Sequence, residues 1–293
     1  MRYVITRLNG GLGNQLFQYA AGRALAERLD VPLKVDTSEF ENYPLRRFEL
    51  NKFKINAKIS SPDEIAGLII NPSRFQRSIC RAAIALGLEF NKIAFKEIKF
   101  GYDDFFEKIS HPIYLNGYWQ SEKYFKSAEN ILRSELCLTD SLNGTNGKVL
   151  EEILHSSGVS LHVRRGDYVT NPSAAAVHGV CSLDYYYSAI RHIASQVQEP
   201  YFFVFSDDQQ WAKDNLKISH RVQFVEANGP DCGEKDMWLM KSCKHHIIAN
   251  SSFSWWAAWL NNRQDKIVIA PRLWFLDKKI NANDLIPEHW VKI

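Results

Sequence analysis

From Val159 onward the chain alternates steadily between short β-prone apolar runs and helical apolar periods. The runs at 159–163, 201–205, 222–225, 246–249 and 266–270 are separated by helical stretches at 183–197, 209–216, 234–243 and 253–260. Strands joined through helices lie parallel, with the crossovers packed on the sheet faces, so this rhythm restricts the second half to a doubly wound α/β unit. The first half carries the same signal less regularly. A run at 3–8 leads through a glycine turn into a helix marked by Leu16, Ala20, Ala24 and Leu25; a second run spans 31–36, and helical periods recur at 63–68, 74–88 and 122–136. A turn-rich stretch at 139–147 and a helix at 148–155 precede the second half, which places a boundary between domains 1–157 and 158–293. No short sequence repeat links the halves, so any likeness between them is architectural.

At 293 residues the chain is long enough for two domains. Its 36 basic and 33 acidic residues leave a formal charge of +3, too balanced for nonspecific grip on nucleic acid. No apolar run reaches the ~18 residues of a membrane span. Five scattered cysteines and the absence of a charged-then-apolar leader give a reduced, cytoplasmic protein as the expectation. Residues 74–88 form a basic amphipathic stretch, suited either to an anionic membrane surface or to packing on the chain's own sheet.

The turn Gly10-Gly11-Leu12-Gly13 before a helix offers backbone N–H groups and a helix dipole to a phosphate. Leu16 stands where a dinucleotide fingerprint would have its third glycine, and no Gly-Lys-Ser/Thr follows, although Asp36 at the end of the second run keeps a nicotinamide-dependent dehydrogenase open. In the second half, His162-Val163-Arg164-Arg165-Gly166-Asp167-Tyr168 closes a strand, where open α/β sheets bind ligands. Paired arginines there suit a diphosphate; since strand neighbours point to opposite faces, one arginine clamps phosphate while the other ties the loop to Asp167. Ser206-Asp207-Asp208 closes another strand. Its carboxylates suit either a divalent metal on a diphosphate or, with Ser206 or Asp207 as the cap, the start of the next helix. Asn250-Ser251-Ser252-Phe253 opens a further helix with hydroxyls and N–H groups, and Trp255 and Trp259 share one face of it as core. Cys232, Cys243, His245 and His246 lack paired zinc spacing, and His245 reads as a surface residue.

With these residues in view, the chain resembles the bacterial α-1,2-fucosyltransferases, the glycosyltransferase family that includes the blood-group H and secretor enzymes. The likeness runs from GGLGNQLFQYAAGRALA (10–26) through VDTSEF (35–40), GYWQSEKYF (117–125), HVRRGDY (162–168) and FSDD (205–208) to ANSSFSWWAAWL (249–260), in order over nearly the whole chain. It implies an α/β fold of GT-B type, two Rossmann-like doubly wound domains facing across a cleft. It also implies GDP-β-L-fucose as donor, a β-galactoside-terminated glycan as acceptor, inversion to an α-linkage and no required metal or other cofactor.

Residue by residue, the resemblance implies that Arg164 or Arg165 holds the β-phosphate, with Arg165 stabilising transition-state charge. His162 and Asp236 become nucleoside contacts, and Ser251, Ser252 and Phe253 line the diphosphate and base. Gly11, Gly13, Asp167, Ser206, Asp207 and Asn250 complete the donor side. Asn14 is similar to the asparagine that reaches the reacting centre in protein O-fucosyltransferases. Asp36, Tyr118, Trp119 and Gln120 fall to the acceptor, although a buried tryptophan after a strand accounts for Trp119 equally well. Asp36, Glu39 and Asp103 are candidates for a general base, a role left unassigned. A noncatalytic GDP-sugar-binding protein is the remaining alternative.

Overall fold

A computed structural model describes residues 2–41, 46–226, 228–229 and 231–293. The chain divides into two compact units, Met1–Thr139 with Asn281–Pro287, and Asp140–Ile280 with Glu288–Ile293. The division thus falls earlier than the expected 157/158 boundary, because the helix before that boundary packs onto the second unit's sheet.

In the first unit the elements are β1 (Val4–Arg7), α1 (Leu12–Arg28), β2 (Leu33–Asp36), β3 (Lys58–Ile59), α2 (Pro62–Ile65), α3 (Arg74–Ala85), β4 (Phe95–Lys96), β5 (Tyr114–Asn116) and α4 (Glu129–Glu135). Their strands form a parallel sheet in the order β3-β2-β1-β5-β4. Helix α1 is buried on nearly every face, including Leu16, Phe17 and Leu25, each contributing roughly 1.5–3 kcal/mol. Gly22 makes its close approach to the sheet possible, since a Cβ there would lie 3.0 Å from the Thr6 side chain.

The single helix expected over 122–136 is broken. Two 3₁₀ turns, Glu122–Tyr124 and Lys126–Ala128, flank a non-helical Phe125 (φ −139°, ψ 10°), and only then does α4 begin. The break lets both Tyr124 and Phe125 turn inward, the latter 6.0 Å from the Phe17 ring.

The second unit comprises α5 (Gly144–Leu154), β6 (Ser157–Val163), α6 (Gly166–Thr170), α7 (Pro172–His178), α8 (Leu183–Ala194), β7 (Pro200–Ser206), α9 (Gln209–Asn215), β8 (Val222–Phe224), α10 (Gly233–Ser242), β9 (His245–Ile247), α11 (Ser252–Leu260), β10 (Val268–Ala270) and β11 (Val291–Lys292). Its parallel sheet runs β11-β10-β9-β6-β7-β8, so strand order reverses at β6. The β6/β9 crevice is therefore the topological switch point, where such sheets bind ligands. Helix α5 starts at Gly144, inside the stretch expected to be all turn. Helices α6 and α7 were not expected, although Asn171 caps α7 by accepting from the backbone N–H groups of Ser173 and Ala174 just before Pro172. Two parallel-sheet α/β domains of this kind fit the GT-B class.

Candidate functional site

The second unit's site grows from strand register. Val163 at the end of β6 lies opposite Ser206 at the end of β7, so the residues that follow each strand meet. Arg164 donates from Nη1 to Asp207 at 2.8 Å and from Nη2 to Asp167 at 2.6 Å. Arg165 donates its backbone N–H to Asp207 (2.8 Å) and its Nε to Asp208 (3.2 Å), while its guanidinium sits 3.9 Å from the centre of the Trp211 ring. Among the described residues the Nη groups of Arg165 make no hydrogen bond, whereas both of Arg164's do. The tie to Asp167 is therefore Arg164, and Arg165 keeps its guanidinium fork available to an anion.

Asp208 is the cap of α9, accepting from the Trp211 N–H at 3.1 Å. This corrects the expectation of Ser206 or Asp207 in that role: Ser206 accepts instead from the Asp208 N–H. Both carboxylates proposed for a metal are engaged by arginines, and no group of three or more His, Cys, Asp or Glu among the described residues is arranged to hold an ion. At Gly166 a Cβ would stand 2.4 Å from Asp207, which is why glycine occupies the turn between the arginines and Asp167.

On the other side of the crevice, His162 is buried with its ring 5.5 Å from Phe253. Burial, aided by the Arg164 charge, pushes its pKa down to about 3, so the imidazole is neutral; its Nδ1 finds no partner among the described residues. Ser251 caps α11 toward the Phe253 N–H, and Ser252 and Phe253 form its first turn. Asp236, on α10, is raised to about 6 by burial and accepts from the Asn228 amide at 2.6 Å. Asn228 in turn pairs with Asn146, a partnership nothing in the sequence announced.

Asn250, expected on the donor side, has its side chain bonded within the protein. It is buried, its amide nitrogen donates to the carbonyls of His178, Gly179 and Trp274, and its oxygen accepts from Cys181. With every amide hydrogen and the oxygen committed, Asn250 knots neighbouring loops together. His245 is buried rather than superficial, its Nδ1 accepting from the Ile267 N–H, and both ring nitrogens of His246 are held, by Ser160 and Asn261. Cys243 donates to Leu239, in keeping with the absence of paired zinc spacing among these residues.

The first unit has its own polar cluster at the carboxyl edge of its sheet, where β1 and β5 mark a reversal in strand order. Gly10 takes a left-handed φ of 72° to turn the chain into α1, and a Cβ on Gly11 would lie 3.8 Å from the Arg46 guanidinium; Gly13 is buried in the first turn. Asn14 accepts from the Gln120 amide at 2.8 Å, which unites two of the expected residues. Gln15 and Gln18, unremarked in the sequence reading, wire the loop to the helix: Gln15 bonds Gly10, Arg47 and Glu49, and Gln18 bonds Asn9 twice.

Tyr118 is exposed, but Trp119 is fully buried against Phe95, Phe106 and Tyr124. The core account of Trp119 is the correct one. Asp36 is also turned inward, held by the Tyr114 hydroxyl at 2.5 Å and the Ser38 N–H. Asp103 pairs with Arg81, and Glu39 with Arg7, so neither proposed base is an isolated carboxylate.

Helix α3 buries Cys80, Ala83 and Ile84 but exposes a second apolar stripe, Phe75, Ile79, Ala82 and Leu86, beside Arg74 and Arg77. No helix among the described residues is long and apolar enough to cross a membrane.

Comparison with known proteins gives these sites a context. The family model described as glycosyl transferase family 11 matches residues 68–293. An α-1,2-colitosyltransferase of Escherichia coli is 38% identical over all of this chain and 99% of its own length. The O-antigen biosynthesis glycosyltransferase WbnK, also of Escherichia coli, is 35% identical over 98% and 99% of the two chains. Galactoside α-(1,2)-fucosyltransferase 1 of Leontocebus fuscicollis is 30% identical over half of this chain and 42% of its own. Among solved structures, NodZ α-1,6-fucosyltransferase soaked with GDP-fucose matches with a TM-score of 0.53 at 16% identity, covering 88% of this chain and 92% of its own. POFUT1 in complex with GDP-fucose matches at 0.53 and 13%, covering 92% and 97%. At such identities these two structures speak to the fold.

Proposed function

Because the chain belongs to glycosyl transferase family 11, with the α-1,2-fucosyltransferases among its relatives, we propose that it transfers L-fucose from GDP-β-L-fucose to the 2-hydroxyl of a terminal β-galactoside. The linkage formed is α-1,2, with inversion at the anomeric carbon, and the product belongs to an oligosaccharide, an O-antigen or another surface glycan. In this reading the units face across a cleft in the GT-B manner, with the donor on the second.

The observation that carries the reading is the arginine cluster at the carboxyl ends of β6 and β7, next to the β6/β9 switch point. As the anomeric C–O bond lengthens, negative charge gathers on the departing diphosphate. Arg165, oriented by Asp208 and Trp211 but with its Nη groups available, is placed to meet that charge. Arg164 holds the loop, through Asp207 and Asp167, in the form that presents Arg165. His162, as a neutral imidazole, and Asp236 address the nucleoside, while the first turn of α11 offers N–H groups to phosphate. Gln120 orients Asn14 for the reacting sugars. With guanidinium as countercharge, the proposed reaction requires no metal.

The 38% relative favours a second donor reading, colitose, which lacks the C3 hydroxyl of fucose. The test is direct competition. Lactose is incubated with GDP-fucose and with GDP-colitose, and the product is weighed: gain of a deoxyhexose with the higher kcat/KM supports fucose, and gain of a dideoxyhexose replaces it with colitose. No transfer from either donor, with GDP still bound, would mean a different acceptor or a binding protein.

We also place the reaction at the inner face of the cytoplasmic membrane. The outward stripe of α3, flanked by Arg74 and Arg77, suits shallow insertion among anionic headgroups.

A further inference from the structure

Glu97 follows β4 directly and has no part in the mechanism above. Its backbone N–H pairs with the Asn116 carbonyl, extending the β4–β5 ladder by one residue, and its side chain then folds under the loop that leaves β5. One carboxylate oxygen accepts from the Tyr118 N–H at 2.7 Å and the other from the Trp119 N–H at 3.2 Å. The fit is close: a Cβ on Gly117 would lie 2.5 Å from the Glu97 Cβ and 2.9 Å from the Trp119 ring.

The loop held in this way is backbone-strained. Trp119 sits at φ 56°, a left-handed conformation that bulky residues rarely adopt, and such outliers persist only where surrounding contacts over-determine them. Two contacts do so here. The Trp119 indole is locked among Phe95, Phe106 and Tyr124, and the two N–H groups at the turn are fixed by Glu97. The result is directional. With Trp119 turned inward, its neighbour Tyr118 is left exposed, and Gln120, one residue on, reaches Asn14.

We propose that Glu97 is a positioning residue for the acceptor: its carboxylate clamps the strained 117–120 turn, so that Tyr118 is presented to the acceptor glycan while Gln120 orients Asn14. This role rests on the transferase reading above; the clamp itself does not. The surroundings agree with a deliberately placed carboxylate. Burial, reinforced by the nearby Asp103, raises Glu97 to about 7, and the two N–H bonds oppose that rise. The other groups that face it are Tyr124 and, through its pair with Asp103, Arg81.

The test uses full-length protein with Glu97→Ala and Glu97→Gln. Hydrogen exchange at the Tyr118 and Trp119 amides needs no substrate: Glu97→Ala should exchange there at least tenfold faster, and Glu97→Gln, which keeps one acceptor oxygen, should fall between it and wild type. Steady-state kinetics should then show the acceptor KM raised at least tenfold in Glu97→Ala, with the GDP-fucose KM within twofold of wild type and partial rescue in Glu97→Gln. Amides that stay protected in Glu97→Ala overturn the clamp. Exposed amides with an unmoved acceptor KM overturn its role in placing the acceptor. A wild-type protein that transfers no sugar would overturn the reaction and the acceptor role together, and the exchange data would still stand for the clamp.

Discussion

Adjacent arginines with the same charge have different work because of what each side chain already touches. Arg164 is consumed by two carboxylates, and Arg165 is braced on one carboxylate and an indole. Arg165→Ala is accordingly expected to lower kcat by about 10²–10³, the usual cost of a lost transition-state donor, with little change in melting temperature. Steady-state turnover beside thermal unfolding checks this, and near-normal turnover would remove Arg165 from the mechanism. Asp236 supplies a pH test. Its folded pKa, about 6, lies above the ordinary aspartate value near 3.9, so its contribution to stability is present below that value and is lost as pH rises through 6. Nucleotide binding runs the other way: donors on guanine or ribose need the ionised carboxylate. GDP affinity should be flat above pH 7 and fall by up to about tenfold per unit below 6. Asp236→Asn should flatten that profile in calorimetric titrations, and an unchanged profile would move the dependence to another group.

At the scale of elements, parallel register turns separate motifs into one site. HVRRGDY and FSDD were legible as strand ends, but the pairing of Arg164 with Asp207 required knowing that Val163 lies beside Ser206. Gly166 is the sharpest probe of this junction. Gly166→Ala drives a methyl into Asp207 and should loosen Arg164, raising the GDP-fucose KM at least tenfold while leaving the acceptor KM near wild type. Helix α3 gives a second probe at this scale. Wild type should sediment with vesicles containing phosphatidylserine and not with neutral vesicles, and Phe75→Ser with Leu86→Ser should abolish sedimentation without loss of lactose fucosylation. Equal sedimentation of the variant would clear α3 of a membrane role.

Legibility followed the strength of local patterns. Long strands such as β6 and β7 stood out as apolar runs. The two-residue strands β3 and β4, and the break at Phe125, depend on tertiary packing that no local period records. Arg165 and Asn14 stand out in the sequence as candidates because the motifs that mark them are local. The contacts of Glu97 with Tyr118 and of Asn228 with Asn146 span 21 and 82 residues, and no local pattern announces them. Asp36 and Asn250 are held as internal ties, a use of a polar strand-end residue that the sequence does not separate from a ligand contact.

For the molecule as a whole, two parallel-sheet units each gather polar groups at the carboxyl edge of a reversing sheet, which in the proposed reaction gives a nucleotide-sugar and an acceptor separate addresses. The chain belongs to glycosyl transferase family 11, and the proposed displacement of a nucleoside diphosphate relies on the fixed cationic donors of the arginine cluster. The most direct measurement is GDP release from GDP-fucose with and without lactose, in the presence and absence of EDTA, with the product mass read alongside. The account predicts lactose-dependent release that EDTA leaves intact and a product heavier by one deoxyhexose. Release abolished by EDTA, or GDP binding with no lactose-dependent turnover while Arg165→Ala binds equally well, would contradict it.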